Sequence, residues 1–120
     1  MLQQLTEQLI EECAACLARF WQMREEDREP DFFQEVKPHA DYWHQHVLQW
    51  QQQADVFIER YRPKYMHTMQ VHNAQEAFTQ FVVQSFYKGT SKKRFEQSIL
   101  STKYTLETFL KALKEAQDAE

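Results

Sequence analysis

Glycine, proline and cysteine are scarce in this chain of 120 residues, which has one glycine, three prolines and two cysteines. Hairpin turns between strands depend on glycine, asparagine and aspartate, so the shortage of glycine argues against a β-rich fold. Two cysteines are too few for a disulfide scaffold in a chain of this length. Glutamine, glutamate, leucine, lysine and alanine are plentiful and favour helices. We therefore expect an all-α protein.

The chain also lacks a basic surplus and a long apolar run. Fourteen lysines and arginines face eighteen aspartates and glutamates, which gives a net charge of −4. This balance argues against nucleic-acid binding driven by overall charge. No apolar run is long enough to span a bilayer, and the first residues lack the features of a signal peptide. The expected location is the cytoplasm, without membrane contact.

Four segments repeat apolar residues at spacings of three and four, the pattern of helices with one buried face. The predicted helices span about residues 2–24, 38–62, 68–88 and 91–117. Pro63 ends the second helix and biases Arg62 towards extended backbone. Gly89 is expected to end the third helix in the left-handed conformation. Matched lengths and short connections predict one domain over residues 1–120, an antiparallel up-down-up-down four-helix bundle.

Two expectations concern how this core is filled. Phe32 and Phe33 follow an acidic first loop and are expected to cover the open end of the core. Trp50, Cys13 and Cys16 each lie near the middle of their helices, so we expect them to share one layer of the bundle. One large side chain opposite two small ones would fill such a layer without strain.

Several short motifs follow one another along the chain: Asp31-Phe32-Phe33 with Lys37-Pro38, Arg62-Pro63-Lys64-Tyr65-x-His67, Gln84-Ser85, Lys92-Lys93-Arg94-Phe95 and Tyr104-Thr105-Leu106. In this order they resemble the YppE-like family, small Bacillus-type bacterial proteins with a domain of unknown function. The resemblance covers about residues 31 to 110. It implies a four-helix up-and-down bundle and implies no activity.

No cofactor or metal site is expected. Cys13-Ala14-Ala15-Cys16 has redox and zinc spacing, but it lies in mid-helix on the apolar stripe without a second pair, as buried small apolar residues do. No Glu-x-x-His motif of a di-iron bundle accompanies the five histidines. No catalytic triad or phosphate loop emerges either, so we expect no enzyme.

The third helix offers a candidate surface for a partner. Its segment between Tyr65 and Tyr87 carries one formally charged residue, Glu76. Off the core stripe, Val83, Phe86 and Tyr87 form an apolar flank. Either a partner protein binds this flank or a neighbouring element of the chain covers it. We expect at least two of the three side chains to be exposed.

A basic segment begins the fourth helix. Lys92, Lys93 and Arg94 occupy its first turn, where the helix dipole disfavours cations. They are expected to pair with the acidic loop at residues 25–31, across the end of the bundle. The alternative is an external anion bound by the three cations together with Lys88.

These observations favour a non-enzymatic module that binds an unidentified protein. Two alternatives stay open. One is a bundle that binds a small ligand or a metal, and the other is an anion or nucleic-acid contact through the basic start of the fourth helix.

Overall fold

The computed structural model describes residues 1–119, and these form four α-helices and one π-helical turn. The helices are α1 (Leu2–Glu26), α2 (Lys37–Tyr61), α3 (Thr68–Gln84) and α4 (Lys92–Ala119), and the π-helical turn (Phe32–Val36) precedes α2. No strand occurs in this part of the chain. The all-α prediction is confirmed, and the predicted helices match these four closely at every boundary except the end of α3.

The four helices form an elongated bundle of 50 × 26 × 21 Å. Side-chain pairs show the directions of the helices. Thr6 near the start of α1 contacts Trp50 of α2, and Glu12 in the middle of α1 contacts His39 at the start of α2. Arg24 near the end of α1 contacts Thr90 just before α4. Both α2 and α4 therefore run antiparallel to α1. Each helix turns its apolar stripe inward, as the spacing of three and four predicts.

The core is one continuous cluster of aromatic and aliphatic side chains. Phe20 of α1 stacks on Phe95 of α4 with ring centroids 4.2 Å apart, and Trp50 of α2 packs edge-on against Phe109 of α4. The indole N–H of Trp50 donates to the Thr6 hydroxyl at 3.0 Å, so its one polar atom is satisfied inside the core.

The layer predicted for Trp50 is wrong. Trp50 contacts Thr6, about two turns before Cys13 on α1, while His39 at the start of α2 reaches Glu12. The reason lies in the first connection. The chain returns along α1 through the π-helical turn before α2 begins, so α2 starts beside the middle of α1 rather than beside its end.

The residues that follow α2 and α3 do not adopt the predicted backbone conformations. Gly89, expected to be left-handed after α3, has no positive φ. The left-handed residues are instead Asp27 after α1 and Arg62 after α2, with φ of 50° and 44°. Arg62 was expected to be extended; instead its N–H donates to the Ile58 carbonyl at 2.8 Å and closes α2 directly before Pro63. This conformation costs a non-glycine residue roughly 1–2 kcal/mol.

The end of α3 is also corrected. α3 ends at Gln84, four residues before the predicted Lys88. The Ser85 hydroxyl donates to the Val82 carbonyl, and the Phe86 N–H donates to the Val83 carbonyl. The Phe86 bond spans three residues instead of four, so the last turn is tighter and the chain leaves the α-helical path.

Phe32 and Phe33 do not cover the core. Both are exposed on the π-helical turn, where their rings contact each other edge-on at 5.3 Å. Val36 is the side chain of this turn that enters the interior.

Candidate functional site

The apolar flank predicted on α3 is largely covered. Phe86 is 6% exposed, and Val83 and Tyr87 are half-buried, with Val83 packed against the core. The prediction that at least two of these three side chains are exposed is therefore wrong, most clearly for Phe86. Its angular position was inferred for a helix that continues to Lys88, but α3 ends at Gln84 and turns the Phe86 ring inward. A partner contact at Val83 and Tyr87 stays a prediction.

The basic segment divides into three kinds of environment. Lys88 pairs with Asp27 at 2.6 Å and with Glu29 at 3.6 Å, so the pairing across the bundle end exists but Lys88 makes it. Lys92 lies over the Trp21 ring at 5.0 Å. Lys93 and Arg94 are exposed and have no ion-pair partner within residues 1–119. Anion binding at this segment stays a prediction.

The Lys88–Asp27 ion pair shifts the pKa of both side chains. The Lys88 ammonium holds the pKa of the Asp27 carboxyl below its usual range, first through the hydrogen bond and then through its charge. The same hydrogen bond raises the pKa of Lys88. Both side chains are near solvent, so the ion pair contributes little to stability, although it links the connection after α1 to the connection between α3 and α4.

Both cysteines are buried in the core, as the sequence predicts. Burial raises the pKa of the Cys13 thiol to about 12, and it raises that of Cys16 further. Such thiols hold almost no thiolate at neutral pH, and the thiolate is the reactive form. We therefore expect slow alkylation in the folded protein.

The histidines bind neighbours within the chain. His44 contacts the Thr79 carbonyl at 3.0 Å and His72 contacts Asp55 at 2.8 Å. No group of three or more histidine, cysteine or carboxylate side chains among the described residues could hold a metal ion.

A buried polar cluster links α1, α2 and the end of α3. At its centre lies Glu12, which is 5% exposed. One of its oxygens lies 2.7 Å from Nε2 of His39 and 3.5 Å from Nη1 of Arg19, and it accepts from the Cys16 thiol at 3.4 Å. A buried carboxylate needs such partners because losing its hydration is costly.

Arg19 extends this cluster to the end of α3. Its Nη1 donates to the Ser85 hydroxyl at 2.9 Å, and its guanidinium lies over the Phe86 ring at 4.6 Å. The His39 ring contacts the edge of the same phenylalanine. Phe86 therefore covers the charged cluster, which is the physical reason for its burial.

The polar groups of this cluster satisfy one another. The Ser85 hydroxyl donates its proton to the Val82 carbonyl and accepts from Arg19, so it is not paired with a base. The Cys16 thiol is neutral for the reason given above, and it donates to the Glu12 carboxylate.

A cleft lies at the opposite end of the bundle, between the α2–α3 connection and α4. It has a volume of about 380 Å³, and Tyr65 and Tyr104 stand on its two walls, with Lys64 and Lys111 beside them. The two tyrosines are 73% and 72% exposed. Its lining also includes Met66 and Thr108 from the connection and from α4, respectively.

The sequence contained a signal for this cleft that the spacing analysis did not use. Tyr104 is a large aromatic residue on the polar side of α4, between the core positions Thr102 and Leu106. Tyr65 follows a proline in a connection and has no helical stripe to join. For the polar cluster the signal is weaker: Glu12, Cys16 and Arg19 are four and three residues apart, but the pairing with His39 depends on register.

The fold is that of a small antiparallel four-helix bundle, with a polar cluster near one end and an aromatic cleft at the other. A family model for a bacterial domain of unknown function, DUF1798, matches residues 6–113. The chain belongs to this family. The resemblance to YppE-like proteins is thereby confirmed.

Individual relatives agree with this assignment. The uncharacterised protein YppE of Bacillus subtilis (strain 168) is 31% identical over 105 residues, which are 88% of this chain and 85% of YppE. The crystal structure of YppE superposes with a TM-score of 0.93 at 28% identity and covers 99% of this chain and 96% of its own.

A protein of unknown function from Listeria innocua superposes with a TM-score of 0.91 at 26% identity, covering 98% of this chain and 94% of its own. None of these names assigns an activity. No helix among residues 1–119 is both long and apolar enough to cross a membrane.

Proposed function

We propose that this protein is a non-catalytic cytoplasmic module that binds an acidic segment of another protein in the cleft between Tyr65 and Tyr104. The exposure of these two tyrosines in the lining of one cleft, from the connection and from α4, is the observation that carries the proposal. Tyrosine is enriched at protein interfaces because it supplies a large contact area and loses little conformational freedom on binding.

The charge of the cleft selects the partner. Lys64 and Lys111 flank it and Glu115 is its one acidic lining residue, in a protein whose net charge is −4. The two lysines favour a segment that carries carboxylates, with an apolar side chain between the tyrosine rings. A nucleic acid would need a broader basic surface than two lysines provide.

A larger groove lies beside the end of α2 but suits a partner less well. It measures about 460 Å³, and its lining includes Val56 and two glutamines together with one charged side chain, Arg60. It lacks the pair of strongly exposed tyrosines that distinguishes the cleft.

Selection from a displayed random peptide library tests the proposal. We expect the protein to enrich acidic peptides with a central aromatic or aliphatic residue. Replacing Tyr65 and Tyr104 together with alanine should abolish this enrichment. Tyr42→Ala is the matched control, because Tyr42 is an exposed tyrosine on α2, outside the cleft.

Binding by the wild type that survives the double tyrosine substitution would place the partner elsewhere. Enrichment of basic peptides would contradict the assigned chemistry. Reversing one cation, Lys111→Glu, should weaken an acidic peptide, whereas Lys114→Glu one turn further along α4 should change its affinity less.

A further inference from the structure

A second surface lies over the seam between α1 and α4. We call it the α1–α4 face. Its centre is a groove of about 320 Å³ whose α1 side is formed by Ala14, Ala18 and Trp21 and whose α4 side is formed by Leu100 and Lys103. Leu100 is 60% exposed, and Trp21 is also exposed.

The two sides of this groove differ in shape. Ala14 and Ala18 are exposed and one turn apart, so α1 presents a depression there. Leu100 projects from α4 at the same level along the bundle, because all three line one groove. The face therefore carries a knob and a hole side by side.

The two sides also differ in charge. The exposed edge of α1 carries Glu7, Glu11 and Glu25, while α4 carries Lys93, Lys103 and Lys111 along this edge, with Glu96 and Glu107 among them. None of these eight side chains forms an ion pair within the part of the chain that the structure describes. An acidic edge and an edge with a surplus of one positive charge thus flank one apolar groove.

We propose that the α1–α4 face binds a second copy of this chain, with a two-fold axis parallel to the helices. That axis places α1 of one copy over α4 of the other and keeps every residue at its own level. Leu100 of each copy then enters the depression formed by Ala14 and Ala18 of its partner.

The charges agree with this axis. Glu11 lies one turn before Ala14, and Lys103 lies one turn after Leu100, so the antiparallel helices bring Glu11 of one copy to Lys103 of the other. A two-fold axis across the helices would instead place the acidic edge of α1 on itself, which like-charge repulsion opposes. Shape and charge therefore select the same arrangement.

The oligomeric state of the full chain tests this proposal. Light scattering after gel filtration and sedimentation equilibrium should show a dimer as the concentration rises from about 1 µM to 1 mM. Leu100→Glu and, separately, Ala18→Glu should yield monomers, because each places a charge in the contact. Leu48→Glu is the control, since Leu48 is an exposed leucine on α2.

Charge reversal identifies the axis. Glu11→Lys and Lys103→Glu should each weaken self-association by about tenfold or more, because each variant creates two like-charge contacts per dimer. Mixing the two variants should restore association as a heterodimer, in which both contacts are complementary again. Circular dichroism should show all variants folded.

A wild type that stays monomeric at about 1 mM would overturn the proposal. So would a dimer that persists in both Leu100→Glu and Ala18→Glu, or charge variants that fail to associate when mixed. Capture of a different protein by this face, with no self-association, would also overturn it. None of these outcomes bears on the cleft, because the substituted residues Glu11, Ala18, Leu100 and Lys103 do not line it.

Discussion

The two ends of the bundle are built differently. At the tied end, where α1 and α3 finish, polar side chains cross between elements: Lys88 to Asp27, Arg24 to the Thr90 carbonyl and Arg19 to Ser85. At the cleft end, where α2 finishes and α4 continues to Ala119, Tyr65 and Tyr104 project into solvent. One end uses its polar groups for internal contacts, while the other leaves large side chains exposed to solvent.

This difference shows which end of the bundle keeps large aromatic side chains exposed. The apolar flank that was predicted at the tied end is largely buried, because Phe86 covers the Arg19–Glu12 cluster. No such cluster occurs at the cleft end among residues 1–119, where Trp50 packs against Phe109 instead. The predictions below separate these two sources of stability.

Trp50→Ala should have the largest effect, about 3–5 kcal/mol of unfolding free energy, because it empties a buried layer near the cleft end. Trp50→Phe should cost less, since it keeps most of the packing and loses the hydrogen bond to Thr6. Chemical denaturation with both variants measures this. An unchanged midpoint for the alanine variant would show that the cleft end does not depend on this layer.

Glu12→Ala should have the next largest effect, about 2–3 kcal/mol, because Arg19, His39 and Cys16 lose their shared acceptor. The loss stays below that for a fully buried pair because Arg19 and His39 are partly exposed and water can reach them. Glu26→Gln, at an exposed site on the same helix, is the control. Equal midpoints for the two variants would mean that the tied end does not rely on the cluster.

Helix positions and their buried faces were predictable because the apolar spacing is a local property. Phe78, Phe81 and Phe95 are buried as the stripes require. The cluster around Glu12 was not predictable in this way, because its contact with His39 depends on the path of the first connection. The prediction of the layer that contains Trp50 failed for the same reason.

The surfaces were harder to predict than the core. Phe86 was misplaced because Ser85 ends α3 by bonding to Val82, a competition between side chain and backbone that helical spacing does not report. The cleft needs two segments to meet whose tyrosines, Tyr65 and Tyr104, are 39 residues apart in the sequence. Composition and residue spacing do not predict this tertiary contact between the α2–α3 connection and α4.

Neutralising Lys93 and Arg94 with glutamine should stabilise the protein, by about 0.3–1 kcal/mol for each cation at low salt. The reason is that both lie in the first turn of α4 without an acidic partner among the described residues. Thermal melts at two salt concentrations measure this. If phosphate stabilises the wild type more than chloride does at matched ionic strength, and the variant loses that preference, the segment binds an anion instead.

Asp27→Asn should have the smallest effect. Because Lys88 lowers the pKa of Asp27, the pair stabilises the fold above the ordinary carboxyl pKa, and this stabilisation disappears as the pH falls through the lowered value. The raised pKa of Lys88 means that the contribution also disappears at strongly alkaline pH. Asparagine tolerates the left-handed backbone at this position.

Denaturation of wild type and Asp27→Asn across the pH range measures this contribution. The two proteins should differ at neutral pH and converge in acid. A difference that stays constant with pH would assign the effect to the cap of α1 rather than to the charge.

The unequal lengths of α3 and α4 have a consequence for local opening. α3 begins opposite Thr105, so the connection from Pro63 to Met66, rather than a helix, covers the turns of α4 around Thr108 and Ala112. Amides in these turns should therefore exchange with solvent deuterium sooner than those around Ile99. A segment bound in the cleft would slow that exchange, so the end of α4 reports occupancy even before a partner is identified.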